Sequence, residues 1–206
     1  MNIFSTLQRL GKAVPLPAAI SLVCITALLP FATGLLPAVQ FTSEQIQVAV
    51  YPDEVMVEGH YIYKNPFPFP LVQGFYVPFP VDHDHPEPYQ IHVERVKPDR
   101  KTLKLRRNFG RTRFDAAFSA EEEAEIRVSY RQKALANNAT YILTTTRPWG
   151  RPLNYGVYTL STYGTAILSS NYPFNLPHGR TGFQKSGFMP EKEWQFTWRK
   201  TDENKL

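Results

Sequence analysis

The sequence predicts a mainly β protein: an antiparallel β-sandwich, open to immunoglobulin-like strand order, preceded by one N-terminal transmembrane helix. Three observations carry that expectation. Beyond residue 40 the chain breaks into about ten short runs in which apolar and polar residues alternate, the period of strands with one buried face. The composition holds 14 Phe, 11 Tyr and 18 Pro against 11 Gly. Aromatic rings suit a pleated, half-buried surface, and proline punctuates strands and favours their edges. Finally, residues 13–39 form a stretch of 27 residues without a charged side chain.

That stretch is long enough for a membrane span, since about 20 residues at 1.5 Å rise cross the hydrocarbon core. Arg9 and Lys12 precede it and the first acid is Glu44. The positive-inside tendency then leaves residues 1–12 in the cytoplasm and everything after the span outside, in a periplasm or the extracellular space. Pro15 and Pro17 suit a first helical turn, while Pro30 should kink or end the helix. A cleaved signal peptide is the rival reading. Its apolar region would exceed the usual length, and the small-residue site around Ala38 is a poor one.

The strands follow in order. Ile46, Val48 and Val50 share one face of the first run. Val55, Val57, Tyr61 and Tyr63 share one face of the second, where Gly59 suggests a bulge or a close approach. Further runs are read at 74–79, 90–97, 101–107, 111–118, 125–131, 140–146, 155–161 and 194–198. Pro98-Asp99 reads as a tight turn. Residues 120–124 read as a turn feeding the next strand, residues 162–190 as a long structured loop, and residues 201–206 as a frayed tail. The β-domain thus spans residues 40–200, about 160 residues, enough to bury one core without disulfides or a structural metal.

Charge and cysteine content exclude several classes. Residues 40–206 carry 21 basic and 18 acidic side chains. So slight an excess does not make a nucleic-acid surface. The single cysteine, Cys24, lies in the apolar segment, so the β-domain has no disulfide and no thiolate metal site. No nucleophile elbow, P-loop, dinucleotide fingerprint or haem-attachment motif occurs. Nothing selects a catalytic trio, and no cofactor is expected.

Four segments could still carry chemistry. Asp82, His83, Asp84 and His85 offer carboxylates and imidazoles of the kind that bind Zn, Cu, Ni or Mn, within a Pro-bounded segment that also reads as a solvated loop. Residues 97–113 read as a basic hairpin with eight basic residues and one acid. Lys101 and Arg107 fall on one face with Leu103 and Leu105, Lys104 and Arg106 on the other, and Arg111 and Arg113 follow. Such charges protect a sheet edge or meet an anionic surface. In the proline–aromatic stretch 65–80, the rings of Phe67, Phe69, Phe75 and Phe79 either cap the core or form an apolar docking patch. Trp149, between Arg147 and Arg151, suits cation–π stacking or a core plug.

These readings lead to a non-catalytic accessory or scaffolding subunit of a membrane protein complex. It would be held in the bilayer by its N-terminal helix and docked on integral membrane proteins through the aromatic and basic segments. The alternative is a tethered binding domain for a metal ion or anionic ligand, built on the Asp82–His83–Asp84–His85 loop.

Overall fold

The computed structural model describes residues 37–201. The segment expected in the cytoplasm, almost all of the expected span and the tail beyond 201 lie outside the described residues. Among the described residues no helix is long and apolar enough to cross a membrane. The β-domain starts slightly before residue 40, because Val39 is already a core residue and the Ala38 amide donates to Gln73 Oε1 at 2.8 Å.

The fold is mainly β. Its widest element is a seven-stranded sheet in the order β12-β10-β1-β2-β8-β4-β5. In chain order these strands are β1 Gln40–Val50, β2 Glu54–Lys64, β4 Tyr89–Lys97, β5 Lys101–Thr102, β8 Glu123–Lys133, β10 Leu153–Thr162 and β12 Gly182–Phe188. Two three-stranded sheets pack on it. One is β3-β7-β6, from Leu71–Pro78, Arg111–Phe118 and Arg106–Asn108; the other is β11-β13-β9, from Thr165–Ser170, Trp194–Lys200 and Asn138–Tyr141. The expected β class therefore holds, with three corrections to its arrangement. β1 and β10 run parallel, so the sheet is mixed rather than antiparallel. The second layer is split in two. The order is also not that of an immunoglobulin sandwich, whose two sheets hold four and three strands.

Alternation explains which face is buried. Glu44, Ile46, Val48 and Val50 of β1, Val55, Val57 and Tyr63 of β2, and Ile126, Val128 and Tyr130 of β8 are all buried. One hydrophobic cluster lies beneath β11-β13-β9. There Phe183 stacks between Tyr158 (4.4 Å) and Tyr172 (4.6 Å) and meets Trp194 edge-on at 5.2 Å. The other lies beneath β3-β7-β6, with Tyr63 against Phe41 (4.9 Å) and Phe75 (4.7 Å), and Phe75 on Phe114 at 5.0 Å. Tyr61, Val77 and Phe188 touch both clusters and mark the seam between the small sheets.

Several expected elements are redrawn. The run 101–107 is two strands in two different sheets, because Leu103 turns into the core and carries the chain from β5 across to β6. The run 140–146 is cut short: after β9 the chain enters a 3-10 turn, Thr144–Trp149, tied by Glu193 accepting from the Leu143 and Thr144 amides. The region 162–190 holds β11 and β12. The β1 bulge lies at Phe41/Ser43, whereas Gly59 serves a close approach.

At Gly59 a Cβ would sit 2.3 Å from the Tyr61 hydroxyl, and at Gly156 a Cβ would sit 2.7 Å from the Tyr158 hydroxyl. Each tyrosine ring folds back along its own strand over a bare backbone. Gly156→Ala should therefore displace the Tyr158 ring and destabilise the domain by roughly 1–3 kcal/mol, the usual range for overpacking. Denaturant unfolding checks this; an unchanged midpoint would show that the ring does not need the space.

Candidate functional site

Two surfaces and one buried cluster hold the chemistry of the described residues. The first surface is the outer face of β3-β7-β6. Strand register sets Tyr76 opposite Arg113 and Arg113 opposite Arg106, while Arg111 lies between Pro78 and Asn108. The Arg111 and Arg113 guanidinium groups lie 5.8 and 5.3 Å from the centre of the Tyr76 ring, and Arg113 Nη1 donates to the Tyr76 hydroxyl at 3.0 Å. Asp115 pairs with Arg106 and lies 3.6 Å from Arg113. Two guanidinium groups, of Arg111 and Arg113, thus lie against one exposed aromatic ring, and Arg106 joins Arg113 beside the single carboxylate. At the tip of the β6–β7 hairpin, Phe109 is 82% exposed. Arg107 points elsewhere, donating to the Pro88 carbonyl at 2.9 Å.

The second surface is the connection between β2 and β3. Phe67 and Phe69 stack there at 5.1 Å, and Phe69 is exposed. Phe75 and Phe79 are not surface residues: both are buried, Phe75 beneath β3-β7-β6 and Phe79 edge-on to Tyr130 at 4.9 Å. Trp149 is half-buried at the edge of that core, packed against Tyr63 (5.3 Å) and Phe41 (5.7 Å). Its neighbour Arg147 donates to the Pro190 and Glu191 carbonyls instead of stacking on it. Lys101 and Lys104 are exposed, but they lie on and just after β5. The basic stretch is therefore not one hairpin face, and only Arg106, Arg111 and Arg113 come together.

The residues 82–85 do not form a chelate. Asp82 accepts from the Asp84 and His85 amides and from His85 Nδ1, each at 2.8 Å. His85 is buried, with Nε2 3.1 Å from the Asn138 carbonyl. The His83 ring is exposed and turns to Asp84 at 2.9 Å. Among the described residues no three His, Cys, Asp or Glu side chains converge as ligands of a metal ion. The His85 side-chain bond holds the Asp82 carboxyl below its ordinary range, as a structural turn requires.

The buried cluster went unread in the sequence. Glu44 points inward at the seam, opposite Gly156 on β10 and Tyr61 on β2, and accepts from the Tyr158 hydroxyl. Tyr61 and Tyr141 share a hydrogen bond of 2.7 Å across the two layers. Burial pushes the Glu44 carboxyl up to about 7, against an ordinary 4.5, with the Tyr158 bond working the other way. Burial also raises the phenols of Tyr61, Tyr141 and Tyr158. The signal was present, because Glu44 continues the inward-facing series of Ile46, Val48 and Val50.

The chain matches no protein-family model and no curated protein. Its fold does recur among solved structures. A Legionella pneumophila protein described as nutrient-binding superposes with a TM-score of 0.56 at 12% identity, over 79% of this chain and 67% of that one. A likeness at that identity is one of fold. A zinc metallopeptidase of the M1 class from Deinococcus radiodurans superposes with a TM-score of 0.43 at 7% identity, over 78% of this chain and 42% of the enzyme. This chain therefore spans less than half of that enzyme's length.

The Glu44 carboxyl gives a pH prediction. Below about pH 4.5 the folded and unfolded chains both hold the proton. As pH rises toward 7 the unfolded chain ionises first, so stability falls by up to roughly 3 kcal/mol before levelling off. Glu44→Gln keeps an acceptor for Tyr158 and removes the charge. The variant should match the parent at pH 4 and exceed it at pH 8 in denaturant midpoint. Parallel pH profiles would mean that Glu44 does not titrate in this window.

Proposed function

We propose that this chain is a membrane-tethered, non-catalytic docking subunit whose β-domain, outside the cytoplasm, binds the acidic extramembrane surface of a membrane-protein assembly. The observation that carries the reading is the Tyr76–Arg106–Arg111–Arg113 face with Phe109 at its rim. Arginine and tyrosine dominate the energetics of protein interfaces, because each combines a large apolar contact with directional hydrogen bonds. Three guanidinium groups against one carboxylate favour an acidic partner, by steering the encounter as well as by contact. The N-terminal apolar stretch, read as a transmembrane helix with its basic flank inside, supplies the tether.

The non-catalytic part of the reading is supported by what the titratable groups already do. Asp82 and His85 close a turn, His60 lies between Glu125 (2.7 Å) and Glu58 (3.1 Å) on the outer sheet face, and Glu44 is sealed in the seam. Each is committed to holding strands together. The metal-binding alternative has no observation in its favour. Nutrient binding, the description of the Legionella protein, shares only the fold with this reading.

The test is co-purification. Tagged full-length protein, gently extracted from its own membranes, should carry integral proteins in fixed ratio. The pair Arg111→Glu and Arg113→Glu should lose them while keeping the thermal midpoint of the parent, since both side chains are exposed. Retention of the partners by the charge-reversed protein would remove this face from the account. Recovery of the parent protein alone, under conditions that preserve neighbouring complexes, would overturn the subunit reading.

A further inference from the structure

We infer a second interaction surface: the β2–β3 connection, residues 65–70, together with Val72 at the start of β3, is an apolar foot that dips into the lipid interface. The inference rests on the membrane-tethered reading and adds an orientation to it. At the bottom of the domain, β1 begins with Gln40 opposite Lys64, and Ala38 is hydrogen-bonded to Gln73 at the start of β3. The connection that joins Lys64 to β3 therefore emerges at the end where the chain leaves toward its N-terminus, directly after residues 13–36, which hold no charge.

The tip of this connection is apolar and exposed. Phe69 is 45% exposed, Val72 is 70% exposed, and Pro66, Pro68 and Pro70 are exposed as well. Beside it lies an open groove of about 640 Å³, where Leu71, Val72, Pro98 and Phe118 share the lining with the paired charges of Arg95, Asp99 and Glu122. Lipid requires that backbone polar groups be satisfied within the protein, and at Asn65, Phe67 and Phe69 this loop provides internal partners. Its three prolines have no N–H to satisfy. Asn65, whose side chain is fully buried, accepts from the Phe67 amide at 3.0 Å and donates to the Phe69 and Ser119 carbonyls at 2.8 and 2.7 Å. The Phe67 carbonyl accepts from the Glu121 amide at 2.9 Å. One buried asparagine thus fixes the stacked rings in a preformed knob.

Charge sets the depth and the kind of lipid contact. Lys64, Lys97, Arg100 and Lys101 surround this end together with Asp99, Glu121, Glu123 and Glu125, while Arg95 pairs with Asp99 and Glu122. With the signs balanced, contact depends on the rings and prolines rather than on anionic headgroups. Insertion is shallow, about 5–10 Å into the headgroup boundary, as for other interfacial elements.

The experiment uses the full chain in phosphatidylcholine vesicles, with Cys24→Ser and a single environment-sensitive fluorophore at Phe69→Cys. A second protein carries it at Phe109→Cys, at the opposite end of β3-β7-β6, roughly 23 Å away at 3.3 Å per residue. The expected result is a blue shift and strong quenching by interfacial spin-labelled lipid at position 69, none at 109, and little change in high salt. If Phe69→Cys unfolds, Val72→Cys takes its place. Equal solvent exposure at 69 and 109 in protein that resists carbonate extraction overturns the foot and leaves the tether standing. Protein released by carbonate overturns both.

Discussion

One face of a seven-stranded sheet must be covered, and neither partner sheet is wide enough to do it. At about 4.8 Å between strands, seven strands span roughly 29 Å and three span roughly 10 Å. Two narrow sheets laid side by side solve the problem and create a seam between them. The rest of the molecule depends on how that seam is filled. Tyr61, Val77 and Phe188 contact both halves of the core. The two glycines at 59 and 156 let tyrosine rings lie flat on the sheet, and the Tyr61–Tyr141 bond ties β2 to β9 across the layers. Glu44 ends up among these phenols, protonated over most of the acidic range because burial disfavours its charge.

The surfaces that function can use are what this packing leaves over. On the outer face of the wide sheet, the charges of β2, β8 and β4 are largely consumed in cross-strand pairs such as Arg131–Glu54 and Arg127–Glu94. The outer face of β3-β7-β6 differs. Its guanidinium groups outnumber its single carboxylate, and two of them, Arg111 and Arg113, lie against one exposed tyrosine. The opposite end of the same small sheet carries the stacked phenylalanines beside the point where the chain leaves toward its N-terminus. The stacked rings and the arginine face thus occupy opposite ends of one small sheet within the β-domain.

Much of this was legible in the sequence, for identifiable reasons. Strands with strict alternation, such as 46–50, 55–63 and 126–130, have one buried face and were read correctly. β11 and β12 were not, because their residues, among them Gly182 and Gly187, alternate weakly and are held by neighbours distant in sequence. The basic stretch was misread as one hairpin because period-two alternation cannot show that Leu103 passes between layers. Phe75, Phe79 and Trp149 share composition with Phe67 and Phe69; only the tertiary fold separates core rings from surface rings. The Asp82–His85 turn shows the same limit, since ligand-type residues in series also make a self-satisfied capping turn. Glu44 was the reverse case, visible in the pattern and passed over.

The central claim is that the Tyr76–Arg106–Arg111–Arg113 face is covered in the native assembly. Hydrogen exchange on the full-length protein tests it most directly, comparing gently extracted complexes with the same protein stripped of its partners. The account predicts added protection confined to β6, β7 and the Phe109 turn, with the outer strands of the wide sheet unchanged. Protection spread evenly over the domain, or centred on β9–β13, would contradict it.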